Sequence, residues 1–290
     1  AGDSLVTIES DEKFTTTISC ENSVFHIQGR DGEEFAYLPY IERDHYICLS
    51  QFTLKEVIRQ TIFSIAANDS NKMMTGELFQ VTGNELKVVS LDGHRISIRN
   101  VELKDNYNDI KVIVPGKTLS EVSKILSGDN EKEVLIFFSK NHILFEFDHT
   151  IVVSRLIDGE YFRIDQMLSS DYETKSTVNR RELLDCIERA TILIRENDKK
   201  PLIINLQDQE MQLKMNSSFG SMNAEVNVHK TGSDIMIGFN PKFLIDALRI
   251  IDDEEVTLYM LNPKSPCFIK DEEGKYIYLI LPVNFNAASV

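Results

Sequence analysis

Basic side chains at helical spacing are the residues of this sequence with the clearest chemistry. Lys117 and Lys124 lie seven positions apart, and Lys242 and Arg249 repeat that spacing about 125 positions later. Seven residues make about two helical turns, so on a helix each pair shares one face. A row of ammonium and guanidinium groups on one face suits contact with phosphates. For any single helix, the alternative is a solvated face without a ligand.

Residues that could catalyse a reaction are scarce by comparison. Asp92 and His94 could form a base with its orienting partner, but they lie two positions apart in a predicted turn, and no Gly-x-Ser-x-Gly motif accompanies them. The six histidines, at 26, 45, 94, 142, 149 and 229, show no paired metal-ligand spacing. No Walker or Gly-x-Gly-x-x-Gly loop occurs. The sequence therefore predicts no catalysis, no metal site and no cofactor.

Composition is that of an ordinary globular chain with an acidic balance. Of 290 residues, 42% are hydrophobic and 27% charged, and 46 acids against 31 bases give a formal charge of -15. Such a charge opposes nucleic-acid binding unless the bases are concentrated on one surface. The four cysteines are widely spaced, which favours free thiols in a reducing cytosol. No apolar run approaches the roughly 18 residues of a membrane span.

The two basic pairs belong to a duplicated segment. Each lies in a predicted amphipathic helix, 117–126 or 242–251, which follows a strand and a proline and precedes an acidic turn and three strands. Two earlier helices, 53–65 and 179–192, complete the repeats. The first carries Lys55 and Arg59, with Thr53 predicted as N-cap and Glu56 closing a capping box; the second carries Arg181. Each unit is predicted as helix, four strands, helix and three strands, about 120 residues long.

The first 45 residues hold strands but no helix. Strands are predicted at 5–8, 14–20, 23–28 and 34–38, and the last three match the triplet that ends each repeat. The repeat requires a helix before Phe14, for which the chain has no room. Our hypothesis is that residues are absent between Ser10 and Asp11 and before Ala1. The predicted domains are therefore an incomplete first repeat at 1–45, a second at 46–166 and a third at 167–290.

Local motifs in this order are similar to those of a known family. The segments are Gly76-Glu-Leu-Phe79, Asp92-Gly93-His94-Arg95, Asp158-Gly159-Glu-Tyr-Phe162 and Tyr278-Leu-Ile-Leu-Pro282. Together they resemble the bacterial sliding clamps, the beta subunits of DNA polymerase III, from about residue 12 to 285. The resemblance implies an α+β DNA-clamp fold, in which a homodimer of three-domain chains closes into a ring around duplex DNA. Helices then line the bore and sheets form the outer wall.

The ring that the resemblance implies would explain how an acidic chain meets DNA, because its bore would gather the bases. The expected bore residues are Lys55, Arg59, Lys117, Lys124, Arg181, Lys242 and Arg249. None is expected to read base edges, since phosphate contacts carry charge without sequence information.

The resemblance also implies a pocket between the second and third domains for short linear peptides. The expected partners are the polymerase catalytic subunit, the clamp loader and other replication and repair proteins, in the cytoplasm and without a membrane. The expected lining is Met74, Leu91, Gly93, His94, Arg95, Ile96, Phe162, Gln166, Met167, Phe243, Leu279, Leu281 and Pro282. The family pattern has Pro, Arg and Tyr where this chain has Phe162, Gln166 and Phe243, so the resemblance implies the site but does not fix its affinity or sequence preference for peptides.

For the dimer, the resemblance pairs Phe35 and Tyr37 of one chain with Ile192 and Leu193 of the other. The alternative to the whole interpretation is an acidic, β-rich scaffold that binds proteins and does not encircle DNA. In that case the basic ridges would be solvated faces, and reversing their charge would leave DNA loading unchanged.

Overall fold

The computed structural model describes residues 3–35, 37–68, 71–168, 171–194 and 200–285. They form two compact units, 1–40 and 41–290, which are described separately.

The first unit is an antiparallel three-stranded sheet of β1 (Val6–Ser10), β2 (Thr15–Cys20) and β3 (Ser23–Gln28). A tight turn joins β1 to β2, in which the Asp11 carboxylate accepts hydrogen bonds from the backbone N–H groups of Lys13 and Thr15 at 2.9 and 2.8 Å. The predicted strand at 34–38 is wrong. A single 3₁₀ turn, Gly32–Glu34, capped by Asp31, occupies its start, and the described residues 35, 37 and 38 are not in a strand. The hypothesis that a helix of the repeat is absent between Ser10 and Asp11 stays a prediction.

The second unit contains four helices among its described residues. In chain order its elements are β4 (Tyr46–Ser50), α1 (Gln51–Thr61), β5 (Gly76–Leu91), β6 (Arg95–Pro115), α2 (Gly116–Ile125), β7 (Glu133–Phe138), β8 (His142–Phe147), β9 (Thr150–Arg155), β10 (Thr174–Asn179), α3 (Arg180–Thr191), β11 (Leu202–Gln207), β12 (Glu210–Ser217), β13 (Gly220–Gly232), β14 (Ile235–Phe239), α4 (Pro241–Ile250), β15 (Glu255–Met260), β16 (Cys267–Lys270) and β17 (Tyr276–Ile280).

This order repeats, and the four helices lie within a few residues of their predicted positions. The start of α1 differs, because Ser50 is its N-cap and accepts from the N–H of Thr53 at 3.0 Å. The predicted capping box of Thr53 and Glu56 is therefore wrong, and Glu56 pairs with Arg59 instead. Asn179 and Asn240 cap α3 and α4, which shows that short polar side chains start three of the four helices.

One continuous sheet joins the two repeats. Ten strands run in the order β14-β11-β12-β13-β10-β15-β16-β17-β6-β5, and four more form the sheet β4-β7-β8-β9. The joint is the pairing of β17 with β6, from Tyr276 opposite Arg99 to Ile280 opposite Arg95. Four strands that were predicted as separate form two long strands in the structure. β5 spans the predicted strands 76–82 and 85–90, and β6 spans the predicted strands 95–103 and 112–115. Gly83, at φ +60°, lies in the irregular step between their halves.

The helices cover one face of these sheets as a row. Contacts join α2 to α1, α1 to α4, and α4 to α3. Their apolar sides are buried, as Leu54 on α1, Leu119 on α2, Leu183 on α3 and Leu244 on α4 are all fully inaccessible. Burying one leucine contributes about 1.5–3 kcal/mol, so the apolar stripe is what seats each helix. The opposite sides of the helices face outward, which leaves five of the seven predicted bore bases exposed.

A carboxyl group lies inside this core. Glu77 on β5 is 0% exposed, and neither of its carboxyl oxygens has a hydrogen-bond partner among the described residues. Burial raises the pKa of Glu77 well above its ordinary value of 4.5, and the nearby Thr61 hydroxyl lowers that pKa by less. The folded protein therefore holds this proton at pH values where the unfolded chain has released it.

Glu77→Gln is expected to remove a loss of stability at high pH. In the native chain, the free energy of unfolding falls by about 1.4 kcal/mol per pH unit as the pH rises from the unfolded toward the folded pKa. The glutamine variant lacks this term, so its advantage should grow steadily above pH 4.5. Urea unfolding followed by far-UV circular dichroism across this range measures it. Glu85→Gln, an exposed position on the same strand, is the control. Parallel curves for the native chain and Glu77→Gln would contradict the expectation.

Candidate functional site

Five of the seven predicted bore bases lie on exposed positions of the helix row. They are Lys117 and Lys124 on α2, Arg181 on α3, and Lys242 and Arg249 on α4. Two of them have acidic neighbours: Lys124 pairs with Glu121 at 2.8 Å, and Arg249 with Glu188 at 2.8 Å. These pairs are exposed and therefore weak, so both bases can exchange their partner for a phosphate.

The two bases of α1 are engaged within the protein. Arg59 contacts Glu56 at 2.6 Å and Asp252 at 2.7 Å, and it donates to the Ile250 carbonyl at the end of α4. The hydrogen bond to Glu56 raises the pKa of the Arg59 guanidinium above its ordinary value, and it is the largest cause of that rise. Lys55 is half-buried and donates to the Leu126 carbonyl at 3.0 Å. Both side chains therefore tie neighbouring helices together.

A cavity of about 480 Å³ lies where the two repeats meet. It is bounded by the β5–β6 turn, the end of β17 and the segment that links the repeats. Its lining is Met74, Leu91, Gly93, His94, Arg95, Ile96, Phe162, Gln166, Met167, Pro266, Leu279 and Leu281. The structure thus brings together eleven of the thirteen predicted pocket residues. Such a mainly apolar concavity suits aliphatic and aromatic anchors, and the thioethers of Met74 and Met167 adapt to different shapes.

The turn from Asp92 to Arg95 forms one wall of this cavity. The Asp92 carboxylate accepts from the N–H groups of His94 and Arg95 at 3.0 and 3.1 Å, and Gly93 adopts φ +82°. A positive φ is strained for most residues, which explains glycine at this corner. The segment is therefore both the turn that the sequence predicted and a wall of the cavity.

Arg95 connects this wall to α4. Its side chain is 9% exposed, and it donates to Asp92 at 2.9 Å, to Asp246 at 2.6 Å and to the Phe63 carbonyl at 2.6 Å. Its guanidinium also lies 4.6 Å from the ring centre of Phe243. Each guanidinium nitrogen thus has an acceptor, so the one cation in the wall is committed to protein partners.

Phe243 and Pro282 lie outside the lining, although they were predicted in it. Phe243 stacks on His94 with ring centres 5.9 Å apart and so supports the wall from behind. Pro266 lines the cavity and was missed. It lies just before β16, and only the pairing of β16 with β17 carries it to this place, so no local pattern announced it.

The residues predicted for the dimer contact are exposed in their respective units. Phe35 and Tyr37 are 80% and 91% accessible in the first unit, and Ile192, just beyond α3, is 81% accessible in the second. Leu193 is half-buried beside it. Exposed aromatic and aliphatic side chains of this size are typical of contact surfaces.

Within the described ranges, no group of three or more His, Cys, Asp or Glu side chains could hold a metal ion. No described helix combines the length and apolarity needed to cross a membrane.

Comparison with known proteins assigns the family. The model of the DNA polymerase III beta subunit central domain matches residues 48–162, and that of its C-terminal domain matches residues 165–284. The chain belongs to the DNA polymerase III beta subunit family, the bacterial sliding clamps. The predicted α+β clamp fold and sliding-clamp function are confirmed by this assignment and by the related structures.

Individual relatives agree. The beta sliding clamp of Staphylococcus aureus is 33% identical over 281 residues, which are 96% of this chain and 74% of the relative. A crystal structure described as a DNA polymerase III beta subunit from Eubacterium rectale is 65% identical with a TM-score of 0.92, covering 97% of this chain and 76% of that one. The sliding clamp of Bacillus subtilis is 30% identical with a TM-score of 0.91, at 97% and 75% coverage.

Proposed function

We propose that two copies of this chain close into a ring that encircles duplex DNA and tethers a replicative polymerase. The observation that carries the proposal is the helix row, in which five exposed bases share the face opposite the sheets. The contacts Phe35 and Tyr37 with Ile192 and Leu193 would close the ring. The proposed domain limits of 46–166 and 167–290 are supported by the two family regions, which meet between 162 and 165.

The mechanism is topological. A closed ring holds DNA without tight binding, so mobile contacts between phosphates and Lys117, Lys124, Arg181, Lys242 and Arg249 suffice, and none of these contacts depends on base sequence. A polymerase tethered to the ring stays at high effective concentration near the primer end. Lys55 and Arg59, which remain in the proposed set, would act mainly by fixing the helices that present the other bases.

The cavity between the repeats would receive short linear peptides of the polymerase, the clamp loader and other replication and repair proteins. Its apolar lining and its half-exposed Met167 support this role. The chain itself would supply no catalytic group, cofactor or metal. Its place of action would be the bacterial cytoplasm, where the chromosome lies.

The test combines mass in solution with retention on DNA. We expect light scattering to give about twice the 33.2 kDa of the chain. After loading by a clamp loader from a related bacterium, the protein should stay on closed circular DNA and leave linearised DNA through its ends. Lys117→Glu with Lys242→Glu should retain the dimer but load less, because like charges repel phosphates.

The matched control reverses two exposed lysines away from the helices, Lys104→Glu and Lys264→Glu, with the same change in net charge. Equal loading by the helix variant and the native chain would favour the protein-binding scaffold. Equal retention on circular and linear DNA would contradict encirclement.

A further inference from the structure

A second cavity, of about 380 Å³, lies at the opposite end of β17 from the first. Side chains alternate along a strand, so Tyr276 and Tyr278 point to one face of the sheet while Leu279 and Leu281 line the first cavity on the other. The remaining walls are the end of α4, Gln60 of α1, Arg99 of β6 and the turn 271–275. The two cavities therefore share a strand but open on different faces of the joint.

The walls of this second cavity are negatively charged. Its lining has five acids, Asp252, Asp253, Asp271, Glu272 and Glu273, and only two bases, Arg99 and Lys275. Three of these acids form ion pairs: Asp252 with Arg59, Glu272 with Lys175 and Glu273 with Lys275. Arg99 forms no ion pair with any described residue, and its Nε has no hydrogen-bond partner among them. With Arg59 and Lys175 counted, five acids face four bases, and the remaining negative charge disfavours DNA phosphates, although α1 and α4 both belong to the helix row.

The carboxyl-terminal end of α4 adds to this preference for cations. Backbone carbonyls at a helix end carry a partial negative charge. Two guanidinium groups already use them: Arg59 donates to the Ile250 carbonyl at 3.1 Å, and Arg180 donates to the Leu248 carbonyl at 3.0 Å. The carbonyls at this end of α4 therefore already bind guanidinium groups.

An acceptor inside the cavity has no partner. Gln60 is 8% exposed and lines the cavity, and its Oε1 has no hydrogen-bond partner among the described residues. Beside it the rings of Tyr276 and Tyr278 stack at 5.4 Å with an interplanar angle of 24°. A planar cation can stack on aromatic rings and donate in the plane to an amide oxygen, which suits guanidinium better than ammonium.

The cavity continues as a groove. A neighbouring depression of about 500 Å³ shares Arg99, Glu273 and Lys275 with it and adds Glu85 and Glu102. This extension fits a chain with several positive groups rather than a single small ion.

We propose that this groove binds an arginine-bearing segment of a partner protein, on the face of the domain joint away from the peptide cavity. The arginine side chain enters beside Gln60 and the tyrosine pair, and the acids of the turn 271–275 hold neighbouring basic residues. The site is independent of the proposed peptide cavity, so a partner could occupy both.

The test uses a fluorescein-labelled peptide, Gly-Ser-Arg-Gly-Arg-Ser-Gly, with matched lysine and glutamine versions. Fluorescence anisotropy is measured near an ionic strength of about 0.15 M, where long-range attraction is screened beyond about 8 Å. The arginine peptide should bind about tenfold more tightly than the glutamine peptide, since charge-assisted hydrogen bonds exceed neutral ones. The lysine peptide should lie between them.

Two variants locate the site. Gln60→Leu should weaken the arginine peptide about three- to tenfold by removing one acceptor. Glu272→Gln with Glu273→Gln changes two exposed side chains, so it tests the site even where Gln60→Leu fails to fold, and it should have a similar effect. The control, Glu131→Gln with Glu210→Gln, removes two exposed acids elsewhere and should change nothing.

Three results would overturn the proposal. Equal binding of the arginine and glutamine peptides would show that no cation site exists. Equal weakening by the control pair would show attraction by net charge alone. Binding of spermidine as tight as that of the arginine peptide, with mutual displacement, would assign the groove to a free polyamine instead of a protein segment.

Discussion

Arg95→Leu is expected to lower the free energy of unfolding of the second unit by about 3–5 kcal/mol, the range for breaking a buried ion pair from one side. The substitution leaves the partly buried carboxylates of Asp92 and Asp246 without their cation, and it removes the hydrogen bond to the Phe63 carbonyl. It also removes the guanidinium from between the rings of Phe63 and Phe243. Urea unfolding followed by circular dichroism gives the loss directly.

Two further variants distinguish the effect of losing the ion pair from the effect of losing side-chain volume. Arg163→Leu changes an exposed arginine of the segment that links the repeats, and it should alter stability by less than about 0.5 kcal/mol. Adding Asp246→Asn to Arg95→Leu removes one stranded charge, so the double variant should regain part of the loss. A double variant no more stable than Arg95→Leu would show that the pairing with Asp246 is not what holds this joint.

Leu281→Asp is expected to weaken binding of short apolar peptides by about 100-fold, which corresponds to about 2.7 kcal/mol. This expectation rests on the proposed role of the first cavity. Leu281 lines that cavity and is 37% exposed, so the new carboxylate would face the ligand's apolar anchors. The nearby Arg95 cannot compensate, because each of its nitrogens already has an acceptor. Fluorescence anisotropy with a labelled peptide carrying Leu and Phe anchors measures the change.

Val283→Asp is the matched control, since Val283 is 36% exposed, lies two residues further along the same segment and does not line the cavity. It should leave peptide affinity within about twofold, as an exposed substitution away from a contact costs little. Comparable weakening by both variants would indicate a general change at this end of the chain. Unchanged binding by Leu281→Asp would place the peptide site elsewhere.

Features that depend on neighbours in the chain were readable from the sequence. The apolar periods of the four helices, and the strand–proline–helix contexts around Lys117 and Lys242, located these elements within a few residues. Helix burial follows a local 3.6-residue period, so this information lies within short stretches. The ordered set of local segments at 76–79, 92–95, 158–162 and 278–282 also indicated the family.

Other features depended on partners distant in the chain. Ser50 caps α1 in place of Thr53, and the spacing of polar residues alone could not distinguish these two neighbours. No local pattern indicated that Glu77 is fully buried, because its surroundings are assembled only in the tertiary structure. Phe243 was predicted to face a ligand, but the position of α4 turns it toward His94 and Arg95.

The sequence by itself determined the repeat of helices and strands, the acidic balance and the basic positions on the predicted helices, because periodicity and composition are local or additive properties. Only the tertiary structure decided which bases stay exposed, since Arg59 meets Asp252 through a contact that spans 193 positions. It also decided that Gln60, Arg99 and the turn 271–275 enclose one acidic cavity. The pairing of β6 with β17 brings these separate elements together, and this long-range pairing leaves no periodic pattern in the sequence.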